Sequence, residues 1–209
     1  MLRLVRLAVF LTVFVGLLTV GDVVLRHDVQ SGIATRIEQR DPGSHASVTI
    51  SSFPFLGRLA ASGNVAKMDI KVTGVTDGAL VFSRLDLDLK DLRIRRSMLV
   101  HGRVELEGLR QGVVTADISQ ASIDRVAGLP ITLGKGSVGT GGLQLPARLS
   151  VSGSDLTIRV DSLPDITIKV PPLGLLPCLG GAEVVPGALQ VTCTVTGLPS
   201  ALAQDSVGF

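Results

Sequence analysis

The alternation of apolar and charged residues between positions 85 and 95 constrains the fold of this chain more than any other feature. Residues 85–90 (LDLDLK) place every second side chain on one apolar face, which is typical of a strand with one face in a core and the other in water. The alternation slips at Asp91 and resumes over residues 92–95 (LRIR), which predicts a β-bulge that bends the strand. A curved, one-sided antiparallel sheet is therefore expected.

Further strands are predicted along the rest of the chain. Residues 104–107 (VELE) alternate as well, and residues 189–195 put Leu, Val, Cys and Val on one side. Residues 155–160 (DLTIRV) nearly repeat as residues 165–170 (DITIKV), with a Ser-Leu-Pro turn between them. The two segments are predicted to pair as a hairpin.

Two helices are expected beside the sheet. Apolar residues recur every four positions at Leu25, Val29, Ile33 and Ile37, and residues 41–43 (DPG) end the helix. A shorter helix is predicted to begin at an N-cap serine, position 119, and to end near position 128. The fold class is therefore α+β, with a long N-terminal helix and a short helix packed on a large curved antiparallel sheet, in a single domain over residues 26–209.

Residues 1–25 form a signal peptide or a membrane anchor. Arg3 and Arg6 precede a run of residues without charge that extends from Leu7 to Gly21. This run is the length of a signal-peptide core, whereas an anchor would have to continue past Asp22. Both alternatives place the remaining chain outside the plasma membrane, either anchored or secreted.

Composition argues against several classes of function. The chain contains six Phe but no Trp and no Tyr, so platforms that stack sugars or nucleic-acid bases are disfavoured. A net charge of +2 is too small for a general nucleic-acid footprint. Residues 134–139 (GKGSVG) match G-x-G-x-x-G, but no helix is predicted after them, so a nucleotide site is not expected.

No constellation of residues supports an enzyme. Asp86 and Asp88 share a strand face, which two glycosidase carboxylates could do, but a solvated sheet face has the same pattern. The three histidines, His27, His45 and His101, lie near no recognisable nucleophile motif. We expect no catalytic residue, no metal site and no cofactor. Cys178 and Cys193 are expected to form a disulfide in an exported protein, the alternative being two buried thiols.

The apolar strand faces are the candidate binding surface. Acyl chains would lie against Leu85, Leu87, Leu89, Val104 and Leu106. Phe53, Phe55 and Leu56 would sit at the opening, although they could equally form an ordinary core corner. Arg93 and Arg95 are candidates for anionic lipid headgroups, with a solvated or edge-protecting role as the alternative.

The same residues carry a family resemblance. Val48-Thr-Ile50 followed by Phe53-Pro54-Phe55-Leu56 resembles the Gly-Phe-Pro-Phe-Leu region of the LmeA-like phospholipid-binding family of actinobacterial envelope proteins. Residues 63–75 (GNVAKMDIKVTGV), the strand at residues 85–92 and the Val-Thr-Ala strand at residues 114–116 follow in the family's order. Ser52 stands where the family has glycine, and the resemblance covers roughly residues 20 to 200.

The resemblance implies a tubular lipid-binding-like fold at the cell envelope. It also implies a groove for phospholipid or phosphatidylinositol mannosides, and a link to mannolipid maturation. We therefore expect a non-enzymatic binder of phospholipid or glycolipid at the plasma membrane, with no nucleic-acid partner. The alternatives are a structural or interaction module of the envelope and an enzyme acting on envelope glycolipids.

Overall fold

A computed structural model gives the architecture of the chain. It describes residues 2–77, 80–95, 103–104, 106–152, 155–161, 165–169, 180–197 and 207–208. The first helix, α1 (Leu2–Arg40), has 39 residues and is about 58 Å long at the usual rise per residue. Within the described residues, no helix meets both the length and the apolarity that crossing a membrane requires.

Three of the four residues in the predicted apolar stripe of α1 lie on the protein's own sheet, whereas the fourth, Leu25, is exposed. Val29 and Ile33 pack on one buried cluster and Ile37 packs on another. The helix ends before the predicted breaker, where the Asp41 N–H donates to the Ile37 carbonyl at 3.1 Å. From there the chain reverses, and β1 (His45–Ile50) runs back along the helix.

The first sheet has seven antiparallel strands and is strongly curled. Its order is β1-β2-β4-β6-β13-β12, and β3 continues the line of β2 against β4. Its bounds are β2 (Asn64–Thr73), β3 (Val75–Asp77), β4 (Leu80–Ile94), β6 (Leu106–Ser119), β12 (Gly181–Val185) and β13 (Ala188–Val195). The long strands β4 and β6 form its centre, and β4 contains the predicted alternation over residues 85–90.

A second sheet of five antiparallel strands faces the first. Its order is β11-β10-β9-β8-β7, and its β9 and β7 contact the edge strand β12 of the first sheet. Its bounds are β7 (Thr132–Gly134), β8 (Ser137–Thr140), β9 (Leu143–Ser152), β10 (Asp155–Val160) and β11 (Ile166–Lys169). A separate pair joins β5 (Arg103–Val104) to β14 (Val207–Gly208).

The second sheet confirms the predicted hairpin and refines the glycine-rich region. Strands β10 and β11 pair antiparallel, with Leu156 opposite Ile168. Residues 134–139 form the tight β7–β8 hairpin, in which Gly134 pairs with Ser137 and Gly136 has a φ of +66°. This glycine-rich segment therefore forms two strands and the turn between them, and Gly136 supplies the positive φ of that turn.

Two short helices complete the fold. The predicted helix α3 (Gln120–Ala127) has Ser119 as its N-cap, whose Oγ accepts from the Ser122 N–H, and Gly128 follows it in the left-handed conformation. The other helix, α2 (Phe55–Ser62), was not predicted from the sequence; it begins directly after the cis Phe53–Pro54 bond and ends at Gly63 with a φ of +65°. This helix lies beside β2 and α1.

Three adjacent strands change their inward-facing parity at the same level. In β2 the successive inward residues Met68 and Val65 are three positions apart, where a regular strand has two. Inward residues are also three positions apart at this level in β4 and in β6. The paired inward residues are Met68, Leu89 and Gly112 on one side of this level, and Val65, Leu92 and Leu109 on the other. We call this level, which contains Ala66, Asp91 and Arg110, the parity row.

The parity row replaces the β-bulge predicted at Asp91. Asp91 has a φ of +52°, yet the pairing runs without a shift from Lys90 opposite Gln111 to Leu92 opposite Leu109. The register shifts of this strand pair lie elsewhere, between Phe82 and Arg84 and between Arg93 and Ile94. Aspartate tolerates the left-handed conformation, so β4 changes parity without gaining an extra residue relative to its neighbours.

Candidate functional site

The inner face of the curled sheet is apolar, mostly aliphatic, and carries two buried clusters. The first lies under the second sheet and includes Leu85, Leu87, Leu156 and Ile158. The second lies under α1 and α2, and its buried members are Val48, Ile50, Phe55, Val65, Met68, Leu92, Ile94 and Leu109. Ile70 and Leu89 are partly buried and pack against both clusters. They form the junction of the two halves of the interior.

The candidate acyl-chain residues on β4 all lie on this inner face. Leu85 and Leu87 are 4% and 7% exposed and belong to the first cluster, whereas Leu89 lies at the junction. Leu106 on β6 is partly buried against the second cluster. Val104 is in β5, but its side chain lies outside the described part of the structure. The structure thus brings Leu85, Leu87, Leu89 and Leu106 onto one surface, in positions that are mostly packed.

The two phenylalanines of the Phe-Pro-Phe-Leu segment have opposite environments. Phe55 opens α2 and is 2% exposed within the second cluster, whereas Phe53 is 62% exposed in the loop before the helix. Leu56 is also in α2, and its side chain lies outside the described set. Phe55 is therefore a core residue in this conformation, while Phe53 is free to contact something outside the domain.

The basic candidates lie at one end of the sheet, beyond the parity row. Arg93 lines a surface cavity of about 490 Å³ whose other polar walls are Asn64, Asp91, Glu107 and Arg110. Arg95 is held by Glu107, with 3.8 Å between Arg95 Nε and Glu107 Oε1.

Arg110 and Asn64 also line this cavity, although the sequence does not indicate them as candidates. Only the pairing of β6 with β4, and of β2 with β4, brings them beside Arg93. The Asn64 Oδ1 atom is buried and has no hydrogen-bond partner within the described structure.

The outer face of the sheet is a solvated network of charges. Asp88 and Asp69 both contact Lys67, whose Nζ lies 3.0 Å from Asp69 Oδ1 and 3.5 Å from Asp88 Oδ2. The hydrogen bond to Asp69, together with the attraction of both carboxylates, raises the pKa of Lys67 above its ordinary value.

Asp86 is engaged in the same way by Arg84. Its hydrogen bond and its charge raise the pKa of the Arg84 guanidinium. Asp86 and Asp88 are therefore ion-paired residues of a charged outer face and are both partly buried. No cluster of potential metal ligands occurs among the residues that the structure describes.

The remaining candidates are distributed over the fold. Cys193 is fully buried in β13, but Cys178 lies outside the described residues, so their pairing stays a prediction. His27 on α1 and His45 on β1 are exposed, and His101 lies outside the described residues. Nothing in the described geometry assembles these residues into a reactive group.

Comparison with known proteins identifies the family. No curated protein and no solved structure matches the chain. The sequence model of the LmeA-like phospholipid-binding family matches residues 20–206, which include both sheets, the two short helices and the junction at Ile70 and Leu89. The chain belongs to the LmeA-like phospholipid-binding family.

Proposed function

We propose that this protein binds a phospholipid without catalysing a reaction on it, with the acyl chains held along the inner face of the curled sheet. The observation that carries the proposal is the largely aliphatic surface of two clusters joined by Ile70 and Leu89, in a chain of a phospholipid-binding family. Aliphatic walls are sufficient for binding, because each buried methylene contributes about 0.8 kcal/mol. No polar anchor is needed along the chains.

The junction is the proposed point of entry. Leu85 and Leu87 are packed against the second sheet, so an acyl chain reaches them only if the two covering layers separate. Ile70 and Leu89 are only partly buried, and they lie between the part covered by the second sheet and the part covered by α1 and α2. If the second sheet and the covering helices move apart at this level, the two clusters join into one apolar channel. The hydrogen-bonded strand pairs within each sheet stay intact.

The finer identity of the ligand follows from the resemblance alone. We propose a glycophospholipid of the phosphatidylinositol mannoside type, and a supporting role in mannolipid maturation. We further propose that the protein is exported to the outer face of the plasma membrane, anchored or secreted, since Arg3 and Arg6 precede the apolar N-terminal run. A disulfide between Cys178 and Cys193 is consistent with that compartment.

The packed interior also favours a second candidate, a structural or interaction module of the envelope. Such a module needs a filled core, and Leu156, Ile158 and Ile168 between the sheets are fully buried. The two candidates differ in one measurable property, since only the lipid binder carries or takes up lipid.

Native mass spectrometry of the full chain purified from membranes tests the proposal. We expect bound phospholipid, and uptake of phospholipid from vesicles by delipidated protein. Leu89→Gln should reduce the bound fraction because it places an amide on the inner face. Lys90→Gln is the matched control, because the Lys90 side chain is next to Leu89 in the sequence but is exposed. Protein that carries no lipid and takes up none from vesicles would support the interaction module instead.

A further inference from the structure

We propose that the protein docks on an anionic lipid bilayer through the end of the first sheet that lies beyond the parity row. This surface, the arginine end, comprises the loop at residues 51–54, α2, residues 91–95 and residues 106–110. The docking proposal rests on the proposed function only because the membrane that is contacted would also supply the phospholipid ligand. The arginine end differs from the inner face, because it lies on the outside of the domain.

The direction of α1 is the first argument. Ile37 packs on the first cluster and Val29 on the second, so the helix axis runs towards the arginine end as the residue number falls. The segment before Val29 therefore extends past that end. Fourteen residues separate Val29 from Val15, which corresponds to about 21 Å of helix.

From Val15 to Leu25 the extending segment of α1 exposes mainly aliphatic side chains, with Asp22 buried, and residues 26–28 (RHD) separate this part from Val29. Seven of its large aliphatic residues are exposed: Val15, Leu17, Leu18, Val20, Val23, Val24 and Leu25. Successive residues of a helix point about 100° apart, so these seven surround the axis instead of forming one stripe. Exposed aliphatic side chains on all sides of a helix favour an apolar environment, and hydrocarbon beyond the arginine end supplies one.

An exposed aromatic lies at the same end. Phe53 is 62% exposed, and it is followed by the exposed Pro54 and then by α2, which contacts α1. The α2 helix itself is fixed to the sheet, because the Ile94 N–H donates to the Gly63 carbonyl at 2.7 Å. Phe53 thus directly precedes a helix that is fixed to the sheet, at the end from which α1 leaves the domain.

The charge of this end complements an anionic surface. Four arginines, Arg58, Arg93, Arg95 and Arg110, stand with the two carboxylates Asp91 and Glu107, and each carboxylate is already ion-paired. Within the described residues, neither Arg58 nor Arg93 has an ion pair. Guanidinium groups bind phosphates well, and basic groups near a membrane are attracted by anionic lipids.

A single tryptophan at position 53 measures the contact, because the chain has no Trp and no Tyr. Full-chain Phe53→Trp is reconstituted in phosphatidylglycerol vesicles and in phosphatidylcholine vesicles, each with and without brominated acyl chains. We expect the brominated lipid to quench most of the emission, and aqueous iodide to quench little. The effect should be stronger with phosphatidylglycerol and should weaken as salt is added.

The matched control is Leu143→Trp, because Leu143 is 71% exposed on the second sheet. Both variants keep the same α1, so a difference in quenching between them reports docking of the arginine end. We expect Trp at position 143 to be quenched by iodide and not by brominated lipid. In the Phe53→Trp protein, Arg58→Gln together with Arg93→Gln should remove the preference for phosphatidylglycerol.

Equal quenching at positions 53 and 143, or iodide access at position 53 in every vesicle, overturns the docking proposal. Native mass spectrometry on the same variants keeps the two proposals apart. Bound phospholipid without quenching at position 53 rejects the docking surface and leaves the lipid-binding function standing. Quenching at position 53 without any bound or transferred phospholipid supports the docking surface and rejects the proposed function.

Discussion

Arg110 Nη1 lies 2.9 Å from Asp91 Oδ2, across the two central strands and within the parity row. Asp91 has a φ of +52°, a conformation that most side chains avoid, and its partner comes from the neighbouring strand. The pair therefore links the backbone irregularity of β4 to β6. Because Arg110 is 80% exposed, the ion pair itself contributes only about 0–1 kcal/mol.

The conformation of Asp91 is expected to matter more than its charge. Asp91→Val should lower the free energy of unfolding by about 1–2 kcal/mol, because a β-branched residue is strained in the left-handed region. Asp91→Gly should stay within about 1 kcal/mol of the wild type, since relief of strain offsets the lost ion pair. Urea unfolding followed by circular dichroism compares the two. A larger loss for Gly than for Val would contradict this explanation.

Ser52 is expected to stabilise the parity row from the side of β2. Its buried Oγ accepts from the Ala66 N–H at 2.8 Å and, more weakly, from the Lys67 N–H at 3.5 Å. Ser52→Ala should therefore cost about 1–3 kcal/mol of unfolding free energy, because a buried N–H loses its acceptor. The exposed Ser51→Ala is the control and should be nearly neutral. Equal effects of the two changes would show that the hydroxyl has no such role.

The two phenylalanines are expected to separate stability from membrane contact. Phe55→Ala should cost about 3–5 kcal/mol, because the ring is buried among the second cluster. Phe53→Ala should change the unfolding free energy by no more than about 0.5 kcal/mol, as most surface substitutions do. Chemical unfolding of both variants measures the difference. Similar losses would mean that Phe53 is packed in solution.

The disulfide is expected to be intact in protein taken from an oxidising compartment. Alkylation in denaturant before reduction should leave Cys178 and Cys193 unmodified, and alkylation in denaturant after reduction should modify both, as measured by intact mass. Reduction should lower the unfolding free energy by about 3 kcal/mol on the chain-entropy description. Modification of both cysteines before reduction would support the alternative of two buried thiols.

Local patterns were sufficient to predict much of the fold. The four-residue spacing from Leu25 to Ile37, the N-cap Ser119 and the paired segments at residues 155–160 and 165–170 are each determined by nearby residues, and the structure confirms them. The helix α2 was missed because its eight residues follow two phenylalanines and a proline, which indicate a corner as readily as a helix.

The arrangement of the sheets and of the candidate site could not be predicted in the same way. An apolar alternation indicates which side of a strand is buried, but not which layer covers it. Leu85 lies beneath the second sheet and Leu92 beneath α1 and α2, although both belong to β4. Arg110 is 19 residues from Asp91, and only the register of β4 with β6 brings the two together. Phe53 is exposed and Phe55 is buried, and the motif that contains both does not indicate this difference.

The parity row has a consequence for how this chain can vary over evolution. An insertion or deletion of one residue in β2, β4 or β6 turns the inward residues of that strand outward beyond the change. Here three neighbouring strands change their inward-facing parity at the same level. A change of length in one of them is therefore compatible with the core only if the other two compensate. The number of residues in each strand around Ala66, Asp91 and Arg110 should therefore stay constant among relatives. Insertions and deletions should be confined to the turns at the ends of these strands.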